Sequence, residues 1–317
     1  MKGTRAIGVL LGILAGVLLS GPVAAYDLPA VNLGFTSFMD GAPPAGPGFY
    51  FTEYIQYYTA DKLNDADGDA LPLPEPELDL WVSLSQLIYL SDQPLLLGGK
   101  WGLDVIVPWV SLDIGYGADG PFPADNGSGI GDILVGPFLQ WDPIIRNGRP
   151  VFMHRLELQM LFPTGKYDED KELNPGSNYF SFNPYWAGTL FITPRLTFSA
   201  RLHYLWNAEN DDPNRAYAGA DDTQAGQAFH ANFASSYEVI PKALRIGING
   251  YYLKQLTETE VDGEDLPDSK EALFGIGPGA LLSLSRDNHI FFNAYWETMA
   301  ENRTEGSRFT LRWVHHF

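Results

Sequence analysis

Charged and amide side chains recur in this chain at intervals of two or four residues: Arg155 and Glu157, Asn183 and Tyr185, Arg201 and His203, His230 and Asn232, Arg245 and Asn249, Asn293 and Glu297, Arg308 and Arg312. An even interval places both members on one face of a β-strand. With Asp104 and Asp132 they offer bidentate guanidinium contacts and amide hydrogen bonds, chemistry that desolvates and orients a small solute. The competing reading is a set of internal salt bridges that only stiffens the protein.

Other chemistry fits less well. Asp65, Asp67 and Asp69 surround Gly68, but aligning that glycine with the sixth position of a helix-loop-helix calcium site puts Leu63 first and Pro74 twelfth, so the ligand set fails. What remains is solvated charge, or a looser divalent site shared with lipopolysaccharide phosphates. Gly129, Gly131 and Gly136, like Gly275, Gly277 and Gly279, do not complete a phosphate loop. They read as strand glycines that permit bends and widen an enclosed space. A serine hydrolase needs a nucleophile beside a histidine. Neither Gly-x-Ser-x-Gly nor His-Glu-x-x-His occurs, and His154 has Leu156 rather than a serine two residues on. His315 and His316 read as interfacial groups. No catalytic residue, metal or cofactor is expected, and a barrel-embedded lipid-modifying enzyme is the lesser alternative.

The elements that position these residues follow from composition and pattern. There are 33 Gly, 16 Tyr, 19 Phe and 8 Trp and no Cys, which points to turn-rich, aromatic-rich β structure without disulfides. The net charge of −19 excludes nucleic acid as the main partner. Lys2 and Arg5 precede an apolar run to Leu19 that is too short for a membrane span, and Val23 and Ala25 complete a secretory signal over residues 1–25. Export without cysteine suits a bacterial envelope.

Beyond Tyr26 the pattern is alternation. Phe309, Leu311, Trp313, His315 and Phe317 interleave with Arg308, Thr310, Arg312, Val314 and His316. Leu196, Phe198, Leu202, Tyr204 and Trp206 oppose Thr197, Arg201, His203 and Asn207 in the same way. Segments of this kind number about twelve. Trp101, Trp109, Trp206 and Trp296 lie toward segment ends, as in the aromatic girdles of a bilayer. The expectation is an all-β transmembrane antiparallel barrel over residues 48–317, apolar rows outward and polar rows in the lumen. Short periplasmic turns, at Gln93–Gly99, Thr193–Pro194, Pro241–Lys242 and Arg286–Asn288, should alternate with long acidic outer loops near 60–77, 114–129, 163–178, 208–227 and 257–270.

The run Asn32 to Phe38 with Asp40 and Gly41, Pro43 to Tyr50, Gly129 to Asp132 with Gly136 and Pro137, Pro163 to Asp168, Asn174 to Tyr179, Tyr217 to Gly219 and Gly275 to Pro278 follow one another along the chain. In these motifs and their order the chain resembles the MetA-pathway of phenol degradation family of outer-membrane, transporter-like barrels. The resemblance implies a barrel that passes small, often aromatic or apolar, molecules in a catabolic pathway. The terminal strand ending on Phe317 also looks like the signal read by barrel-insertion machinery, with His315 departing from the usual aromatic. Partners are then outer-membrane lipid, lipopolysaccharide, that machinery and the solute.

About twelve strands imply a narrow or partly filled lumen, so passive uptake through a selective wall is expected, with a structural barrel without flux as the alternative. Residues 26–47 carry Pro29, Pro43, Pro44 and Pro47 among Leu28, Val31, Leu33, Phe35 and Phe38, too apolar for a linker. Leu28–Pro44, with Phe35 and Phe38, is expected to plug the periplasmic mouth; a tail under the rim is the alternative.

Overall fold

The structure, a computed structural model, describes residues 28–43, 45–73, 76–116 and 126–317. The expected signal over residues 1–25, along with Tyr26, Pro44 and Pro74, lies outside them.

Twelve antiparallel strands close into a barrel. They are β1 (Gly48–Leu63), β2 (Pro76–Leu96), β3 (Gly99–Tyr116), β4 (Ser128–Ile130 continued by Ile133–Gln140), β5 (Arg149–Glu157 continued by Met160–Phe162) and β6 (Ser181–Phe182 continued by Tyr185–Phe191). The second half is β7 (Leu196–Asn207), β8 (Ala228–Ile240), β9 (Leu244–Gln255), β10 (Ala272–Ser283), β11 (Asn288–Glu301) and β12 (Thr304–His316). Closure is made by β1 against β12, in register from Tyr50 opposite His316 to Leu63 opposite Thr304. Each strand therefore has two partners and no edge is left open.

Alternation sorts the faces as the sequence implies. On β7, Phe198, Leu202, Tyr204 and Trp206 are exposed on the outside while Thr197, Ser199, His203 and Asn207 are buried inside. On β12, Leu311 and Trp313 face out, and Arg308, Thr310 and Arg312 face in. Phe49 packs on Tyr89 and Tyr89 on Trp101, at centroid distances of 4.8 and 5.3 Å. A second row pairs Tyr57 with Trp81 at 4.6 Å. Between Phe49 and Tyr57 a tilted strand rises roughly 20 Å, so the two rows form the upper and lower girdles of an apolar belt.

Leu97–Gly98 and Asn147–Gly148 both take positive φ, 50° and 77° and then 50° and 72°, the backbone of a two-residue hairpin that matches strand twist. Asn147–Gly148 closes the hairpin between β4 and β5, a fifth turn at the periplasmic end beyond the four expected. At the opposite end the connection from β11 to β12 is also tight, through Asn302 at φ 49°, so five of the six connections there are long, at the five places expected. Three short strand pieces, Thr223–Gln224, Glu260–Val261 and Glu264–Asp265, join two of those loops in a small sheet.

The segment before β1 runs inside the barrel. Leu28 and Leu33 pack with Tyr251, Leu253, Leu273 and Ala300 in the half nearer the long loops, and Phe38 packs with Tyr50, Leu90, Phe138 and Phe291 nearer the short turns. It therefore reaches beyond the periplasmic mouth that it was expected to plug and runs through both halves of the lumen.

An epitope tag placed at Asp170 or Asp262 is expected to be reachable on intact cells, and one at Asn288 only after the outer membrane is breached; equal labelling at all three would reverse the orientation. Leu202→Arg puts a charge in the middle of the outward row and should cost about 2–4 kcal/mol of folding free energy in bilayers, measured by urea titration.

Candidate functional site

The lumen has two chemically different walls. Inward positions of β5 to β9, β11 and β12 carry most of the charged and amide groups read from the sequence. Inward positions of β2 to β4 carry Leu80, Val82, Leu84, Ile106, Val110 and Leu134. The apolar wall was not expected, because apolar rows were assigned to lipid. Both faces of β2 and β3 are apolar, as with Val82 and Ile106 inside against Trp81 and Val107 outside, so alternation there is lost. The detectable signal was that loss: the run Val105-Ile-Val-Pro-Trp-Val110 is apolar at every position, which marks a strand buried on both sides.

On the polar wall the groups mostly satisfy one another. Arg155 donates to Glu157 at 2.5 Å and lies 3.9 Å from Asp104, with its guanidinium 3.5 Å above the Phe138 ring. The Tyr185 hydroxyl donates to the same Glu157 oxygen at 2.7 Å, and Gln86 donates to Asp104 at 2.6 Å. Glu297 accepts from the hydroxyls of Tyr58 and Tyr251 at 2.8 and 2.6 Å and from Arg308 at 3.2 Å. Arg308 also donates to Gln56 at 2.7 Å. His203 and His230 stack at 4.1 Å with ring planes 14° apart, and His230 Nε2 sits 3.0 Å from the side-chain oxygen Oδ1 of Asn183. Gly136 and Gly279 serve this packing rather than widening the lumen, as was expected of them. A Cβ at Gly136 would lie 2.3 Å from Glu157 Oε1, and one at Gly279 2.1 Å from Asn249 Oδ1.

Several sequence candidates hold the inner segment instead of an open wall. Asn232 donates to the Asn32 carbonyl at 2.7 Å and accepts from the Gly34 N–H at 2.8 Å. Tyr295 donates to the Gly34 carbonyl at 3.1 Å, and Gln56 to that of Leu33 at 3.2 Å. Gly34 has φ +75°, and an added Cβ would sit 2.7 Å from the Tyr295 ring; conformation and space both require glycine. Arg201 is bound bidentately by Asp40, with both contacts at 2.7 Å. Arg245 donates to the Arg195 carbonyl at 2.9 Å and to Ser236 at 3.1 Å, near the short-turn end. Arg312 lies 3.5 Å above the Phe291 ring.

Between the apolar wall and the inner segment lies a cavity of about 700 Å³, within the usual size of small-molecule sites. Phe35 borders it and meets Tyr54 edge-on at 5.8 Å. Of the sequence candidates, Asp104, Asp132, Asn183, Arg201 and Arg308 line it. Arg155, Glu157, Tyr185, His203, His230, Asn232, Arg245 and Arg312 do not line it. Asp132 serves chiefly to tie the outer loop: it accepts from the Gly165 N–H at 2.9 Å and from the N–H and hydroxyl of Ser177 at 2.8 and 2.5 Å. Three motifs distant in sequence thus meet in one clamp. Gly165 and Gly176 pack so closely that a Cβ at Gly165 would fall 2.7 Å from the Gly176 Cα, and a Cβ at Gly131 would fall 3.1 Å from the Pro175 oxygen. Tyr167, on that loop and also at the cavity, donates to the Asp212 carbonyl at 2.6 Å, and burial raises its pKa.

Asp65 orders its own loop, accepting the N–H groups of Asp67 and Asp69 at 3.1 and 2.9 Å. Among the described residues no group of three or more His, Asp or Glu is placed to hold a metal ion.

A closed twelve-stranded antiparallel barrel with a girdled apolar outer face and an internally docked N-terminal segment has the fold of an outer-membrane β-barrel. The family model described as MetA-pathway of phenol degradation matches residues 60–313, and the chain belongs to that family. Among solved structures it is similar to an outer membrane channel from Pseudomonas putida F1, with 18% identity and a TM-score of 0.74 over 91% of this chain and 100% of that one. At that identity the likeness is one of fold. The translocator domain of the autotransporter NalP from Neisseria meningitidis (8% identity, 86% and 89% covered, TM-score 0.48) and the monoaromatic hydrocarbon channel CymD (8%, 94% and 97%, 0.44) are more distant barrels. No curated protein matches the sequence.

The Glu297 cluster gives a direct test of whether the polar wall is a mutually dependent network. Arg308→Met leaves a buried carboxylate without its cation and should lower unfolding free energy by about 3–5 kcal/mol, whereas Arg308→Met combined with Glu297→Gln should recover most of that loss. Urea titrations of the two proteins in the same bilayer decide it; equal losses would mean the pair is not coupled.

Proposed function

We propose that this protein is a passive outer-membrane channel for small apolar or aromatic molecules, and that the inner segment sets its selectivity. The observation that carries this reading is the apolar wall inside the lumen. A barrel that only stiffened the membrane would gain more from filling the space beside Leu80, Val82, Ile106 and Val110 than from leaving about 700 Å³ there. A hydrophilic pore would not line its interior with leucine and valine. The family's association with phenol degradation agrees with an aromatic solute.

The candidate polar residues take different parts in this reading. Asp104, Asn183, Arg201 and Arg308 meet the solute; Arg155, Glu157, Tyr185, His203, His230 and Arg312 hold the wall in shape; Asn232 and Arg245 act through the segment and the rim. Chemistry on the solute is not part of the reading. Delivery to this site begins with a cleaved signal at residues 1–25, and insertion uses the last strand, where Phe317 is exposed and its N–H donates to the Phe49 carbonyl at 3.1 Å.

Bilayer recordings of the mature protein test the proposal. Removing Leu28–Pro43 should leave a folded, heat-modifiable barrel whose conductance is several-fold higher and whose discrimination between toluene-like and sugar-like solutes is lost. Unchanged conductance would assign the barrier to the outer loops, and no solute flux in either protein would favour the structural barrel.

A further inference from the structure

The inner segment carries one ionisable side chain among its described residues 28–43, and that side chain is used in one place. Asp40 meets Arg201 fork to fork, through Nε to Oδ2 and Nη2 to Oδ1, both at 2.7 Å. The segment's other ties to the wall are neutral hydrogen bonds: Gly34 with Asn232 and Tyr295, Asn32 with Asn232, Leu33 with Gln56, and Gly41 with Thr189 and Gln140. Arg201 itself lines the cavity, and its Nη1 takes no part in the pair with Asp40. Its plane is fixed from behind by the Tyr185 ring, 4.1 Å from the guanidinium carbon, and Tyr185 is fixed in turn by Glu157. This is a pre-oriented carboxylate receptor that borders an apolar cavity.

We infer that Asp40 is an internal stand-in for a solute carboxylate, and that Arg201 is a binding site for small aromatic or apolar carboxylates, which displace Asp40 and so loosen the segment that fills the lumen. The inference rests on the channel reading above and names its solute class. Exchange leaves the local charge unaltered, since one carboxylate replaces another beside Asp104, Glu157 and Arg155. A ring attached to the incoming carboxylate would lie among Phe35, Tyr54 and the apolar wall, which offer nothing to Asp40. Below Arg201 the lumen holds a further guanidinium, Arg312, with aromatic neighbours Phe291 and Tyr54 and no carboxylate paired to it among the described residues. The acidic outer loops oppose an anion's approach, and salt screens that opposition.

The test uses the mature full-length protein in detergent and in liposomes, with benzoate as the probe and benzyl alcohol as the neutral ring of the same size. Because Asp40 competes at the effective concentration of a short tether, Asp40→Asn should tighten benzoate binding by about tenfold or more in calorimetry and leave benzyl alcohol unchanged. Adding Arg201→Gln to Asp40→Asn should abolish the gain. In the unaltered protein, benzoate should speed hydrogen exchange at the Gly34 and Gly41 amides, a readout that needs no variant to fold. Benzoate efflux from liposomes should rise with ionic strength while benzyl alcohol efflux does not. If benzyl alcohol passes but benzoate neither tightens in Asp40→Asn nor alters exchange, the carboxylate site is wrong and the channel reading survives. If neither solute passes, the channel reading itself falls.

Discussion

In hydrocarbon a backbone N–H or C=O has no water to turn to, so each one must be paired within the protein. The β1–β12 seam satisfies that demand, and most of the architecture follows from it. Closure gives every strand two neighbours, alternation sends one side chain in two to lipid, and the rest are confined to a lumen too narrow for bulk water. What a charged group can do inside is limited accordingly. Arg155, Arg308 and Arg303 are each held by a carboxylate, respectively Glu157, Glu297 and Glu271, which offsets the desolvation of a buried ion, while Arg312 lies against the Phe291 ring.

That limit divides the lumen. Where ions are paired on β5 and β7 and between β11 and β12, the wall is rigid and has little left to offer a passing molecule. Where Leu80, Val82, Leu84, Ile106, Val110 and Leu134 of β2 to β4 face inward, those side chains have no polar atoms to satisfy, and the space beside them can stay open to an apolar guest. In the proposed channel, selectivity therefore belongs to the boundary between the two, where Asp104, Arg201 and Arg308 border the cavity without filling it.

How much of this was legible in sequence depends on whether the two faces of a strand differ. On β7 and β12 the inward residues Arg201, His203, Arg308 and Arg312 could be named because their neighbours are apolar. On β2 and β3 inside and outside are both aliphatic, so sequence alone did not show which leucines meet lipid and which line the cavity. The inner segment was legible from Phe35, Phe38 and the prolines, since such a stretch has no reason to stay in water. Its depth was not, because Asn232, Tyr295 and Arg201 lie far along the chain; Asp40 and Arg201 are 161 residues apart. The outer-loop glycines carried the family resemblance, yet their physical reason, the contact of Gly165 with Gly176 over Asp132, is visible only once the loop is folded.

The inner segment faces conflicting demands, and its contacts show how they are met. Burying Phe35 and Phe38 contributes roughly 3–6 kcal/mol before the cost of ordering the chain, enough to favour the docked state without making it permanent. The buried pair of Asp40 and Arg201 adds little net stability, since desolvation offsets most of its attraction, but its bidentate geometry fixes where the segment sits. Gly34 and Gly41 let the backbone lie directly against the wall; a Cβ at Gly41 would come within 2.3 Å of the Met153 oxygen. A segment held by leucines alone would find many positions of similar energy and would seal none of them well. One held by several ion pairs would have no way to leave. Apolar burial for affinity and a single exchangeable ion pair for position is the combination that both closes a narrow barrel and lets a small molecule reopen it.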